Sequence, residues 1–79
     1  MYIVYVLHSS QLGSRYIGQT SNLSKRLSDH NSGESKYTKG KGHWELVYEE
    51  HFDTRAEAMR REKYLKTGKG RDFLSNLGK

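Results

Sequence analysis

Glu62 stands where a carboxylate is out of place. It lies four residues after Ala58 and three before Leu65, so the helical period that gathers those apolar side chains on one face brings its own side chain there too. A carboxylate buried alone is unfavourable enough to force protonation, pairing with a cation or ligation of a metal. An ordinary salt bridge, for instance to Arg26, or a side chain bending outward at the edge of the stripe, satisfies the pattern as well as a metal does. A second set of polar groups comes from elsewhere in the chain. His30 shares a helix face with Leu23 and Leu27 at i, i+4 and i+7, and Arg26 lies four positions before it on an adjoining line. Tyr5 and Tyr16 fall in two segments with strand character, where alternation can bring both hydroxyls to one side of a sheet. If all five converge, the chemistry they suit is hydrolysis at a phosphodiester, with a cation clamping the anionic centre while water attacks the phosphorus.

Each residue has a plainer explanation. Strand tyrosines usually pack, and a histidine near a helix C-terminus satisfies the last carbonyls and interacts well with the dipole. His8, His43 and His51 show no i, i+4 pairing and the chain has no cysteine, which argues against zinc. The Gly-Lys-Gly runs at 40–42 and 68–70 continue into neither a Walker loop nor a dinucleotide fingerprint, and read as turns and basic surface.

The elements that must position these groups are legible from periodicity. Tyr2 to Leu7 is a continuous apolar run suited to a central strand covered on both faces. After a turn-rich stretch from His8 to Ser14, Arg15 to Thr20 makes the second strand of an antiparallel hairpin. Ser21 or Asn22 caps a helix running to about Asn31, with Gly33 near its end. Residues 32–42 form a polar, basic surface loop. Trp44, Leu46, Tyr48 and Phe52 then alternate with Glu45, Glu49 and His51, the period of a third strand with one wet face. Thr54 to Glu57 is a capping box, opening a helix that runs to roughly Lys66 and stops at Gly68. Arg71 to Leu77 closes the core with a final short helix.

At 79 residues this is one domain, without proline and with six tyrosines, two phenylalanines and one tryptophan to build a core, which favours a globule over disorder. Fourteen Lys and Arg face nine Asp and Glu, the excess gathering at Lys36, Lys39 and Lys41 and again from Arg60 to Arg71, a distribution that suits a polyanion such as nucleic acid. The absence of cysteine fits a reducing cytoplasmic setting, and neither a signal peptide nor a membrane-length apolar run is legible.

Taken in order, Ile3-Val4-Tyr5, then Tyr16-Ile17-Gly18, Lys25 to His30, and Arg60-Arg61-Glu62-Lys63 resemble the signature of the GIY-YIG nucleases. The likeness spans essentially the whole chain. It is nearest to the short stand-alone bacterial group, through Ser35 to Gly40 and Gly68 to Arg71. The resemblance implies an α+β fold, a three-stranded antiparallel sheet flanked by three helices in the order β-β-α-β-α-α. It implies a divalent-metal-dependent endonuclease acting on DNA, with RNA as an alternative substrate, using one Mg²⁺ or Mn²⁺ held by Glu62. Arg26 then clamps the phosphate, Tyr16 orients or deprotonates the water, and Tyr5 and His30 support it. Lys25, Lys36, Lys39, Lys41 and Arg61, with Tyr37, become candidates for holding the nucleic acid. The chain departs from the pattern in reading Ile-Val-Tyr without the first glycine, and in offering only Asn76 for an asparagine found near the end of many members. A domain this small implies low sequence specificity, structure-directed cutting or a separate protein partner for targeting, as a monomer or weak dimer. The competing reading is a module that keeps the fold and binds nucleic acid without cutting.

Overall fold

The computed structural model describes residues 1–9, 13–32 and 44–77. It contains β1 (Tyr2–Ser9), β2 (Ser14–Thr20), α1 (Leu23–Ser32), β3 (Glu45–Phe52), α2 (Arg55–Leu65) and α3 (Gly68–Ser75). The strands form one antiparallel sheet in the order β2-β1-β3, the α+β architecture expected from the motif order. No helix among the described residues is long and apolar enough to cross a membrane.

The apolar run of β1 has the composition a central strand needs. Paired along both edges, it turns Val4 and Val6 to one face and Tyr5 and Leu7 to the other, and all four are essentially inaccessible. Val4 and Val6 pack with Ala58 and Leu65 of α2 and Leu74 of α3. Tyr5 and Leu7 pack with Trp44 and with Leu23 and Leu27 of α1. The sheet therefore separates two small cores, α1 covering one and α2 with α3 the other. The strand extends two residues beyond the expected Leu7 because His8 and Ser9 still find partners in Arg15 and Ser14. Gly13, at φ 64°, supplies the left-handed residue that closes this connection, its N–H donating to Ser9 O at 2.8 Å.

Two expectations are corrected by the fold. The alternation in β3 reads as one buried face, yet its even-numbered apolar residues are divided between the two cores. Val6 pairs with Tyr48 but Leu7 pairs with Leu46, leaving Val47 as an extra residue. Such a bulge reverses the face that the preceding side chains take. Tyr48 and Phe52 accordingly join Val4 and Val6, while Leu46 and Trp44 join Tyr5 and Leu7. Glu50 is thereby turned toward α2, where Arg61 binds it through two hydrogen bonds of 2.8 and 3.0 Å and the Tyr48 hydroxyl donates to the same carboxylate.

The second correction concerns the chain after α2. The capping box forms as expected, Glu57 N donating to Thr54 Oγ1 at 3.2 Å and Thr54 N donating to Glu57 Oε1 at 3.3 Å. Gly68, expected to stop this helix, instead begins the next, because Thr67 caps α3 by accepting from Gly70 N at 3.2 Å. The Gly-Lys-Gly run at 68–70 is the first turn of that helix, not a turn between elements. Gly70 admits the close approach: a Cβ there would lie 2.3 Å from Tyr64 O and 2.4 Å from Leu65 Cα.

Candidate active site

The tyrosines meet on the α1 face of the sheet. Tyr16 pairs with Leu7 and Gly18 with Tyr5, so both rings and the glycine lie on one side of neighbouring strands. Gly18 is required there for space. A Cβ at this position would stand 2.8 Å from Tyr5 Oη, 3.0 Å from Tyr5 Cζ and 3.0 Å from Tyr16 Cε1. The Tyr5 and Tyr16 ring centroids are 6.1 Å apart, a tilted pair laid over the bare backbone.

Helix α1 brings the basic residues to this pair. Its start is fixed by Asn22, whose Oδ1 accepts from Lys25 N at 3.2 Å. His30 is 1% exposed, its ring 4.7 Å from that of Tyr16, and its Nε2 lies 3.1 Å from Tyr5 Oη. Burial, then the charge of Arg26, pushes the His30 pKa below its ordinary value. Burial pushes the Tyr5 phenol up to about 12, against the hydrogen bond from Arg26. At neutral pH Tyr5 is therefore a phenol and His30 a neutral imidazole. The consistent arrangement has Arg26 donating to the Tyr5 hydroxyl and that hydroxyl donating to His30 Nε2.

Two further residues complete this side, neither of them among the catalytic residues expected from sequence. Trp44 is 2% exposed, with its ring 6.4 Å from Tyr16. Asn31 holds it there: Trp44 N donates to Asn31 Oδ1 at 2.7 Å, and Asn31 Nδ2 donates to Trp44 O at 3.1 Å. The side-chain amide thus pairs as a strand neighbour would and ties the end of α1 to the start of β3. Nothing in the sequence around Asn31 announces this contact. Gly18 did carry a signal, since a glycine inside a strand marks a close approach.

Glu62 comes from the other face of the sheet. Its side chain is partly exposed, and Lys66 Nζ, one turn along α2, binds Glu62 Oε2 at 2.8 Å. The cation paired with this carboxylate is thus Lys66, where sequence reasoning offered Arg26 as an example. Lys66 also lines a cleft of about 550 Å³ with Arg15, Tyr16, Ile17 and Arg71. Because β2 is an edge strand, this cleft runs past the sheet's open side, and Tyr16 belongs to both the aromatic cluster and the cleft.

Among the described residues, no three His, Asp or Glu side chains gather as a cage for a metal. A single partly exposed carboxylate beside an open cleft fits a hard ion such as Mg²⁺, which keeps several waters and takes one or two carboxylates. Of the other residues singled out from sequence, Lys25 lies on the exposed side of α1, with its ammonium 3.4 Å from Asp29. Arg61 is engaged by Glu50 and lies 5.0 Å from the Tyr64 ring centroid and 5.2 Å from that of Phe73. Asn76 is the C-cap of α3. Lys36, Tyr37, Lys39 and Lys41 fall outside the described residues.

A family model for the GIY-YIG catalytic domain matches residues 1–75. A UPF0213 protein of Clostridium perfringens is 46% identical over 67 residues, covering 84% of this chain and 71% of its own length. One from Halobacterium salinarum is 42% identical over 67 residues, covering 84% of this chain and 86% of its own. The solution NMR structure of a UPF0213 protein from Bacillus halodurans has the same fold, with a TM-score of 0.58 at 35% identity, covering 99% of this chain and 86% of that one.

Proposed function

Because the chain belongs to the GIY-YIG catalytic-domain family, a nuclease family, we propose that it is a metal-dependent endonuclease that hydrolyses phosphodiester bonds in DNA without strong sequence preference. The observation that carries this reading is the Arg26–Tyr5–His30 network packed against Tyr16, which opens in turn onto the cleft lined by Lys66, the partner of Glu62.

The scissile phosphate lies at the junction of cluster and cleft. Arg26, with five guanidinium N–H groups and only some committed to Tyr5, directs the others at a non-bridging oxygen. Tyr5, held protonated and bonded to His30, is a positioning residue: it fixes the guanidinium and is a poor base near neutrality. Tyr16, the tyrosine that reaches the cleft, orients the attacking water, whose oxygen bonds to phosphorus as the bond to the leaving oxygen breaks. Glu62 is the residue that would hold Mg²⁺ or Mn²⁺, which would supply charge stabilisation to the phosphate as it is cleaved. Repair of DNA is one setting that needs such a nuclease.

One observation favours a second reading, a nucleic-acid-binding module that does not cut: Lys66 already occupies the carboxylate that the metal requires. A panel of labelled single-stranded, duplex, flapped and four-way DNA, with an RNA arm, run in Mg²⁺, Mn²⁺ and chelator, separates the two. Glu62→Ala is expected to abolish metal-dependent cleavage while nucleic-acid affinity changes little. A Glu62→Ala protein cutting at near the wild-type rate removes Glu62 from the mechanism, and a wild type that binds every substrate and cuts none establishes the binding module.

A further inference from the structure

The cleft beside Tyr16 has a composition that the cleavage chemistry does not use. Its three charged lining residues are Arg15 from the start of β2, Lys66 from the end of α2 and Arg71 from α3, and all three are cationic. Arg15 comes from the hairpin and the other two from the basic run between Arg60 and Arg71, so the three meet only when these two segments pack. Each is exposed. Lys66 is partnered by Glu62, whereas neither arginine has an ion-pair partner among the described residues. Lys25 and Arg61, by contrast, are committed to Asp29 and Glu50. Unpaired guanidinium groups around a concavity repel one another, and an anion bound between them relieves that repulsion.

We propose that Arg15, Lys66 and Arg71 form a track for the nucleic-acid backbone, gripping the phosphates that flank the one to be cut. The proposal rests on the nuclease reading for its geometry, because Tyr16 lies at once in this cleft and against His30, so a strand in the cleft continues into the cluster. Arginine suits the task through paired donors that match phosphate oxygens, and Ile17 gives the strand an apolar surface between the cations. Because the recognised groups are phosphates, the grip is independent of base identity. The track takes in part of the basic run from Arg60 to Arg71 and adds Arg15 to it.

The test is the salt dependence of oligonucleotide binding, measured by fluorescence anisotropy in chelator so that no cutting intervenes. Wild type, the double variant Arg15→Gln/Arg71→Gln and the control Arg55→Gln/Arg60→Gln are compared on single-stranded DNA and on RNA of the same sequence. The control removes equal charge from exposed positions of α2 that do not line the cleft. Each lost phosphate contact lowers the slope of log affinity against log salt by about 0.7 for a single strand, so the cleft variant should lose about 1.4 and bind roughly tenfold more weakly near 0.15 M salt. The control should lose less than half as much. A cleft variant with the wild-type slope, a control with an equal loss, or a wild type that binds neither oligonucleotide overturns the proposal. The nuclease reading is scored separately in Mg²⁺. Binding through the cleft without cutting would remove the nuclease and leave the track, and cutting with an unchanged salt slope would do the reverse.

Discussion

Replacing Gly18 with alanine should damage the protein in a way that only crowding explains. The backbone at Gly18 is not left-handed, so alanine meets no conformational penalty and should stabilise the strand by about 0.4–1 kcal/mol through the unfolded chain. Against this stands the added methyl, 2.8 Å from Tyr5 Oη and 3.0 Å from both Tyr5 Cζ and Tyr16 Cε1, where carbon contacts prefer about 3.5–4.0 Å. Tyr5 has no exposed surface, and its hydroxyl is held by Arg26 and His30, so the ring cannot swing aside freely. Overpacking of this kind costs about 1–3 kcal/mol. Crowding therefore wins by about 1–2 kcal/mol, which lowers Tm by roughly 5–15 °C in a domain of this size. A displacement on the order of 1 Å in the cluster would also reduce kcat by up to about 100-fold. Urea unfolding measures the first effect and single-turnover cleavage the second. Because the nearest contact is the hydroxyl, Tyr5→Phe in the Gly18→Ala background should recover part of the lost stability, with a coupling energy above about 0.5 kcal/mol. An alanine variant as stable as wild type, or one indifferent to the Tyr5 hydroxyl, would refute the reasoning.

Two further outcomes follow from the same face of the sheet. His30 has a folded pKa below its unfolded value, so the unfolded chain binds its proton first: the neutral fold is unaffected above about pH 6.5 and loses stability as pH falls below that toward the folded value. The urea midpoint should decline over that range more steeply for wild type than for His30→Gln, and parallel curves would show that His30 does not titrate as argued. Asn31→Ala strips a donor and an acceptor from the backbone of Trp44 and should cost about 1–3 kcal/mol. Trp44 is the only tryptophan, so its emission should shift to the red in the native state, and an unchanged spectrum and midpoint would discount the clip.

Much of this architecture was legible before any coordinates. The apolar run of β1, the Asn22 cap and the capping box at Thr54 report local backbone preferences, and those elements formed close to where the residues indicated. Alternation and helical spacing likewise brought Tyr5, Tyr16 and His30 to one face. What escaped were features decided between elements. The bulge at Val47 depends on how β3 registers against β1, which no period within β3 records. Gly68 resembles a helix stop until Thr67 is seen capping the next helix. The Lys66 pairing of Glu62 was available at i, i+4 spacing, but the cleft that Lys66 shares with Arg15 and Arg71 exists only once β2 and the α2–α3 stretch have packed.

The extra residue in β3 has a bearing on how variants of this protein should be interpreted. Positions 44, 46, 48 and 52 look interchangeable in a linear pattern, yet a change at the first two alters the wall behind Tyr16, while a change at the last two alters the packing beneath α2 and α3. Shortening the strand by that one residue would therefore act as a rotation, carrying Trp44 and Leu46 through the sheet to the wrong side and emptying the pocket wall without touching any residue that does chemistry.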